Sequence, residues 1–184
     1  RCPALLSSPG KEKVADFDVT TMQSASSKKE GAEAGYDKKA KGKPCFQLFA
    51  TFIGRIFVDA KLFPGCANPK DFFRKAVRRA ISLGFGMKIV RADSAFMTLG
   101  NLLFMTELSL GYAVGAPANS DAVKEGIAAF RTLARMNSSR IIHITKGIAI
   151  LDIGWITLAN GISTRVVVIR RISRKRKNGR LRIN

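Results

Sequence analysis

Two apolar segments of this 184-residue chain carry aspartates where carboxylates can serve as metal ligands. The segment KVADFDVTTM places Asp16 and Asp18 two residues apart, and KIVRADSAF brings a mostly apolar run to an end on Asp93. Alternating, β-branched sequences of this kind predict strands, here at 13–22 and 87–92. Side chains two residues apart on a strand share a face, which puts Asp16 and Asp18 together.

Two carboxylates on neighbouring strands repel each other, and a divalent cation between them removes that repulsion. Mg²⁺ prefers oxygen ligands and keeps several waters, so Asp18, Asp93 and a phosphate would be enough to hold it. Two such ions about 3.5–4 Å apart can activate an attacking oxygen and stabilise a leaving one on a phosphodiester. Aspartates at strand ends also cap turns or pair with lysines, so the spacing alone leaves both a metal site and a structural role open.

The elements that would position these aspartates follow from the hydrophobic pattern. Further strands are predicted at 45–54 and 55–63, joined at Gly54, and a basic amphipathic helix capped by Asn68 and closed by Gly84 follows them. The later predicted elements are a helix from Thr98 to Leu110, a short buried strand at 112–117, a helix capped by Ser120 with Val123, Ile127, Phe130 and Ala134 facing inward, and three strands with glycine turns.

This order of elements predicts an α/β fold. Three strands that can form a meander, followed by strand–helix crossovers, give a ribonuclease H-like mixed sheet with flanking helices and an appended C-terminal β-rich insertion. We expect a linker or remnant at 1–12, the core at 13–118 with a basic loop at 23–44, and a helix plus β insertion with a basic tail at 119–184.

The charge balance points to a polyanionic partner. The chain has 32 Lys+Arg against 13 Asp+Glu and a net charge of +19. Nucleic acid is the commonest partner of so basic a protein, and no basic amphipathic helix of the membrane-surface kind is evident.

Cysteine and histidine usage excludes other classes of site. Cys2, Cys45 and Cys66 are far apart, no CxxC pair occurs, and the chain has one histidine, so neither a zinc site nor a disulfide framework is expected. Reduced thiols in a cytoplasmic protein are the default for this pattern. No segment has the length and apolarity of a membrane span or a signal peptide.

Several segments resemble, in order, those of one family. DFDVTTM and VRADSAF resemble the first- and second-aspartate motifs of bacterial insertion-sequence transposases with a DDE catalytic domain. EGAEAGYDKKAKGKP is similar to their glycine–tyrosine–basic loop, and KLFPGCANPKDFFRKA to their proline–glycine turn into a helix. GYAVGAPANS resembles the strand after the second aspartate, and RVVVIRRISRKRKNGRLR a late basic strand pair. The resemblance covers nearly everything from about residue 13 onward.

The resemblance implies a catalytic core that cuts and joins DNA ends with Mg²⁺ or Mn²⁺ in DNA transposition. Asp18 matches the first catalytic aspartate and Asp93 the second, so both are expected to be catalytic residues and metal ligands, with Asp16 as the fallback for the first. The family also needs a glutamate on a later helix. Because the chain ends at Asn184 without such a helix, we expect an internal or truncated fragment with poor or no activity of its own.

The implied partner is double-stranded DNA, as transposon ends and target, bound in the bacterial nucleoid by a homodimer of the full-length parent. The expected DNA-binding residues lie in the lysine-rich loop, on the strand before the second aspartate, and in the basic tail. They are Lys38, Lys39, Lys41, Lys43, Arg91, Arg170, Arg171, Arg174, Lys175, Arg176 and Lys177. Contacts of these residues with phosphates would position DNA without reading its sequence.

Four other residues are expected to be structural. Asp59 and Asp152 should pair with nearby lysines, and His143 and Trp155 alternate with apolar residues in a way that favours burial in the core. A second function stands beside the first, because the chain is highly basic and lacks the third acid. This function is that of a basic, non-catalytic nucleic-acid-binding protein, either a decayed transposase remnant or a ribosome-associated protein.

Overall fold

The computed structural model describes residues 13–35, 41–117, 119–136, 138–158, 161–171, 174–177 and 180–183, with the backbone alone for the last two ranges. These residues form two compact units that divide between Gly115 and Ala116. The first unit contains both aspartate segments, and the second contains a helix and two small sheets.

The first unit is built on a six-stranded mixed sheet. Its strands are β1 (Lys13–Gln23), β2 (Glu33–Ala34), β3 (Pro44–Ile53), β4 (Ile56–Pro64), β5 (Met87–Ala92) and β6 (Gly111–Val114). β3 pairs antiparallel with β1, β2 and β4, whereas β5 pairs parallel with both β1 and β6. The five principal strands therefore lie in the order β4–β3–β1–β5–β6, which is the ribonuclease H-like order, and the predicted fold class is confirmed.

The helices begin and end at the residues that the sequence marks for those roles. Asn68 caps a 3₁₀ turn at Pro69–Phe72, which runs into α1 (Phe73–Ser82) and ends before Gly84, whose φ is +74°. The hydroxyl of Thr98 accepts the backbone N–H of Asn101 at 3.2 Å and caps α2 (Leu99–Glu107). Each cap satisfies a backbone donor that the first helical turn leaves without a partner.

Aromatic side chains fill the space between the sheet and α1. Phe17 of β1 lies 5.4 Å from Phe73 of α1 between ring centroids, and Phe73 stacks at 5.0 Å on Phe96. Phe49 of β3 meets Phe96 edge-on at 5.8 Å, and all four rings are buried. Burying an aromatic side chain contributes about 2–3 kcal/mol, so this cluster anchors β1 and the turn after β5 to one core.

Two predicted elements of this unit differ in detail. The second helix ends at Glu107, three residues before the predicted Leu110, because Ser109 turns the chain with a positive φ of 53°. The strand predicted as buried at 112–117 is β6, which alternates between exposed and half-buried residues. β6 pairs with β5 and with no other strand of the described sheet, so it is an edge strand.

The second unit packs one helix on one sheet. α3 (Asp121–Arg135) is capped by Ser120, and β7 (Ile141–Thr145), β8 (Ile148–Thr157) and β9 (Ser163–Arg171) form an antiparallel sheet in that order. β10 (Arg174–Lys177) and β11 (Arg180–Ile183) pair as a hairpin.

The face of α3 that packs on the sheet is rotated from the predicted one. Ala122, Gly126 and Phe130 are buried, whereas Ile127, predicted to face inward, is 43 % exposed. Gly126 explains the rotation: a Cβ there would lie 2.7 Å from a methyl carbon of Val168, so the absence of a side chain lets helix and sheet approach closely.

Candidate metal and nucleic-acid site

The pairing of β1 with β5 places the two predicted metal ligands side by side. Asp16 lies opposite Arg91, and Phe17 lies opposite Ala92. One residue further along both strands come Asp18 and Asp93. Neighbouring strands are about 4.8 Å apart, so the two carboxylates start from adjacent backbone positions on one sheet face.

The turn after β5 holds Asp93 in place. Asp93 has extended backbone angles, which continue the alternation of the strand, and its Oδ1 accepts the backbone N–H of Ala95 at 2.8 Å. Gly115 donates its backbone N–H to the carbonyl of Ala92 at 3.2 Å, and a Cβ on Gly115 would lie 3.1 Å from the backbone nitrogen of Ser94. The second aspartate is therefore positioned by a capped turn and by the close approach of a glycine.

Neither Asp18 nor Asp93 has a cationic partner among the described residues. Among the described residues, no lysine, arginine or histidine comes within 4.0 Å of either carboxylate. The ion pairs that do form among these residues are Asp16–Arg91, Asp59–Arg79, Asp121–Lys124 and Asp152–Arg165. Both side chains are exposed at the sheet surface. Two neighbouring carboxylates without a cationic partner form a site at which a divalent cation would relieve their mutual repulsion.

The donor set fits a hard divalent cation. Two carboxylates supply oxygen ligands, and the hydroxyl of Thr20 lies 3.3 Å from Oδ2 of Asp18 and orients it. Mg²⁺ and Mn²⁺ accept such oxygens together with waters and substrate phosphates. No group of three or more His, Cys, Asp or Glu residues with metal-binding geometry exists in the described part of the chain, so these residues bring together a pair of acids without a third.

The fallback ligand Asp16 is held by Arg91. Arg91 donates from Nε to Oδ1 of Asp16 and from Nη2 to Oδ2 at 2.8 Å, which makes a two-pronged ion pair across the strands. The hydrogen bond with Asp16, followed by its negative charge, raises the pKa of Arg91 above its ordinary value. This geometry favours Asp18 over Asp16 as the first ligand, and it engages two donor groups of an arginine predicted to contact DNA.

A second basic surface lies in the second unit, between α3 and β9. A groove of about 590 Å³ has an apolar floor that includes Phe130 and Val168. Four arginines line it: Arg131, Arg135, Arg170 and Arg171. The guanidinium carbon of Arg170 lies 5.7 Å from the Phe130 ring centroid, which fixes that side chain by a cation–π contact.

Two of these arginines were missed at the sequence level. Arg170 and Arg171 were predicted to bind DNA, whereas Arg131 and Arg135 were not. Their spacing of four residues was the available signal, because it places them one above the other on a helix. We call this surface, formed by the four arginines, the arginine groove.

The remaining predicted DNA-binding residues fall into three groups. Lys41 and Lys43 are exposed beside β3. Lys38 and Lys39 lie outside the described residues. The last group lies on β10, of which the backbone is described and the side chains are not: Arg174, Lys175, Arg176 and Lys177.

The basic face of α1 is partly committed to the first unit itself. Arg74 and Arg78 lie over the Phe104 ring at 5.7 and 5.3 Å, and Arg74 also donates to the side chain of Asn101 at 3.1 Å. Arg79 pairs with Asp59 at 3.1 Å. These contacts join α1 to its neighbours, so α1 is less available to an outside ligand than its charge suggests.

The structural predictions are partly confirmed. Asp59 and Asp152 are both in ion pairs, although their partners are arginines rather than lysines. The burial of His143 and Trp155 is wrong: both side chains are exposed, and that of Trp155 is 73 % exposed. Trp155 lies on the sheet face that α3 does not cover, whereas His143 lies opposite Ala149 on the α3 side, on the edge strand β7. Alternation by itself reveals neither feature.

The two described cysteines are not part of the candidate metal site. Cys45 is buried and Cys66 exposed, both as free thiols, and a hydrogen bond to the Glu33 carboxylate raises the pKa of Cys66.

None of the helices in the described residues is long and apolar enough to cross a membrane.

Comparisons with known proteins find structural likeness only. No family model matches the chain, and no curated protein matches it. Among solved structures, the chain is similar to the Mos1 transposase paired-end complex with left transposon end, at 11 % identity and a TM-score of 0.41, over 68 % of this chain and 42 % of that one. It is also similar to the HTLV-2 integrase catalytic core domain in complex with magnesium, at 16 % identity and a TM-score of 0.31, over 68 % and 74 %.

A third similar structure is the Drosophila P element transposase strand transfer complex, at 17 % identity and a TM-score of 0.30, over 71 % of this chain and 32 % of that one. The chain thus spans about two-fifths or less of the two transposase chains. At these identities and TM-scores, the likeness carries no argument about activity.

Proposed function

We propose that the chain is part of a DDE transposase catalytic domain, of the bacterial insertion-sequence type, which cleaves and joins DNA strands with Mg²⁺ or Mn²⁺. The observation that carries the proposal is the register of β1 and β5, which makes Asp18 and Asp93 neighbours at the end of two parallel strands without a cationic partner among the described residues. The motif resemblance assigns the catalytic aspartates to these same two positions.

In this proposal, Asp18 and Asp93 hold the metal and thereby orient a scissile phosphate over the sheet. The metal, when bound, supplies Lewis-acid activation of the attacking and leaving oxygens. The hydroxyl of Thr20 and the backbone N–H of Ala95 donate hydrogen bonds to the carboxylates of Asp18 and Asp93, respectively, so that the ligands would need little rearrangement when the metal binds. Arg91 keeps Asp16 out of the metal site through their ion pair.

DNA would be held by the basic surfaces on either unit. Lys41 and Lys43 beside β3 serve the first unit, and the arginine groove serves the second. Arginine guanidinium groups bind phosphates in a forked geometry, so four of them along one groove suit a phosphodiester backbone. We further propose a cytoplasmic, nucleoid-associated protein whose parent acts as a homodimer on transposon ends and target DNA.

Strand cleavage tests the catalytic half of the proposal. The full-length parent protein is incubated with supercoiled plasmid in Mn²⁺ and compared with its Asp93→Asn and Asp18→Asn variants, which keep side-chain volume and remove one charge. We expect Mn²⁺-dependent nicking that each substitution lowers by at least 100-fold, since removal of a metal ligand disables phosphoryl transfer. Asp121→Asn, which removes a carboxylate of α3, is the matched control and should leave nicking unchanged.

DNA affinity as a function of salt tests the binding half. Arg131→Gln/Arg135→Gln should lower the slope of log affinity against log salt by about two, because each phosphate contact contributes about 0.9. The control Arg55→Gln/Lys75→Gln removes the same charge at exposed positions outside the groove. An equal change in both pairs would mean that net charge, and not the groove, determines binding.

A non-catalytic nucleic-acid-binding protein is the second candidate, favoured by one observation: the described residues place no third acid with Asp18 and Asp93. It predicts salt-sensitive DNA binding through the arginine groove, with no nicking and no effect of Mn²⁺. Nicking that survives Asp93→Asn would exclude the metal assignment and favour this candidate or a contaminating nuclease.

A further inference from the structure

The face of the β7–β8–β9 sheet that points away from α3 is unusually apolar. We call it the outer face, formed by Ile142, Ile144, Ile150, Trp155, Val167 and Ile169. Strand register aligns Ile142, Ile150 and Ile169 in one row across all three strands, and Asp152 lies opposite Val167 in the next position. The row is continuous because each of the three strands has an isoleucine at this position.

The two faces of this sheet differ in how far their side chains are buried. On the inner face, Ala149 and Leu151 are buried against Phe130 of α3, and Leu151 is fully inaccessible. On the outer face, the exposed fractions are 60 % for Ile142, 56 % for Ile144, 59 % for Ile169, 50 % for Val167 and 73 % for Trp155. No described residue of the second unit covers this face.

The exposed apolar area is large enough to matter. These five side chains leave on the order of 500–600 Å² of apolar surface in contact with water, at the upper end of what a typical monomer exposes in one patch. A specific interface needs about 800 Å² from each partner, and rim atoms around the five side chains would supply the difference. The patch therefore has the area of one half of a small dimer interface.

We propose that the outer face is a homodimer interface, in which two copies of the chain pack these sheets face to face. The faces of two sheets pack about 10 Å apart with interdigitating side chains. The inference deepens the homodimer proposed above by giving it a surface, and it does not depend on the metal site or on cleavage.

The acid on the outer face is already paired within the sheet. Arg165 donates to Asp152 at 2.9 Å, and Asp152 lies opposite Val167. The face can therefore be buried against a second copy without leaving that carboxylate unpaired, which would be costly in an interface.

The aliphatic composition distinguishes this face from a nucleic-acid surface. Platforms for unpaired bases rely on aromatic side chains, each stacking one base. Here four isoleucines and a valine accompany one tryptophan, and phosphates gain nothing from contact with branched aliphatic groups. Apolar burial against a second protein copy satisfies all six side chains at once.

Salt separates the two kinds of association. Two copies of net charge +19 repel each other, and salt screens that repulsion while leaving apolar burial intact. Self-association through the outer face should therefore strengthen between about 0.1 and 0.5 M NaCl, over which the screening length falls about twofold. DNA binding by the same chain weakens over that range.

The chain has a single tryptophan, and it lies on the outer face, which gives a direct readout. The nuclease-treated chain is followed from about 1 to 200 μM in 0.5 M NaCl by sedimentation equilibrium and by tryptophan emission, a range chosen because a small interface gives a dissociation constant on the order of 10 μM. We expect the mass to double and the emission to shift to shorter wavelength over the same concentrations.

Ile142→Thr/Val167→Thr tests the surface at two outer-face positions that do not line the arginine groove, while keeping β-branched residues on the strands. Each substitution is counted twice in a symmetric dimer, so the dissociation constant should rise by roughly 100-fold. Leu62→Thr removes similar exposed apolar surface from β4 and should change nothing. Circular dichroism shows whether each variant is folded.

Three results would overturn the inference. The first is a monomer at every concentration with long-wavelength emission. The second is a monomer whose emission is already short, which would mean that the chain covers its own outer face. The third is a dimer that the double variant leaves intact, which would place the interface elsewhere. None of these results bears on DNA cleavage or metal binding.

Discussion

Replacing Asp93 by asparagine should remove the stabilisation that the protein gains from divalent metal without unfolding the turn that carries the residue. Asparagine caps turns and helices about as well as aspartate, so the hydrogen bond from the backbone N–H of Ala95 can be kept. The change removes one of the two adjacent carboxylates, and with it the repulsion between them that a cation would relieve. Without metal, the variant should melt at the same temperature as the unsubstituted chain or slightly above it.

The size of the effect follows from linkage. Two carboxylates with waters hold a divalent ion with a dissociation constant on the order of 1 mM, so 10 mM Mn²⁺ stabilises the folded state by about 1.4 kcal/mol. For a unit of this size, that corresponds to a rise in melting temperature of about 5–10 °C. With Asp93→Asn, the rise should fall to the level caused by unspecific binding, about 1 °C or less.

Differential scanning calorimetry with increasing Mn²⁺ is the suitable assay because it measures the melting temperature directly at each metal concentration. Asp18→Asn should behave as Asp93→Asn does, and Asp121→Asn should keep the full rise. Asp16→Asn separates the two candidates for the first ligand, because it should keep the rise if Asp18 is the ligand. An equal rise in all variants would refute a metal site at the end of β1 and β5.

Three further substitutions test interactions within each of the two units. Asp152→Asn should destabilise the second unit at neutral pH, because the hydrogen bond from Arg165, followed by that from a backbone amide, lowers the pKa of Asp152. The difference in stability between the variant and the unsubstituted chain should disappear as pH falls below about 4, in an acid titration followed by circular dichroism. Gly65→Ala would put a Cβ 2.2 Å from a backbone oxygen and should cost about 3 kcal/mol or more in urea unfolding. Gly115→Ala pushes on the turn that carries Asp93 and should weaken Mn²⁺ affinity on the order of threefold in the same calorimetric titration.

Local chemistry in the sequence was enough to predict much of the first unit. The alternation in KVADFDVTTM and the glycine at position 54 predict β1 and the β3–β4 hairpin, and all three strands are found. Asn68 followed by a proline predicts the start of the helical segment, and Gly84 its end. These signals depend on backbone preferences within a few residues, which the sequence carries directly.

These local signals could not predict which acids lie next to each other in the sheet. Whether Asp16 or Asp18 is available for a metal depends on which residue of β5 lies opposite, and a slip of one residue would exchange their surroundings. Register pairs Asp16 with Arg91 and leaves Asp18 beside Asp93. The motif resemblance chose the same residue, but the physical reason for the choice lies in the sheet.

Burial in the second unit was likewise decided by tertiary packing. The alternation around Trp155 and Ile142 correctly predicts strands, yet alternation cannot say whether both faces of a sheet are covered. One helix, brought close by Gly126, covers the inner face, and the outer face is left to solvent within the described chain. The sequence by itself determined the strands, the caps and the basic charge, because these depend on neighbouring residues; the tertiary structure alone decided which acids meet, which arginines share a groove and which apolar face stays open, because those depend on residues brought together from distant parts of the chain.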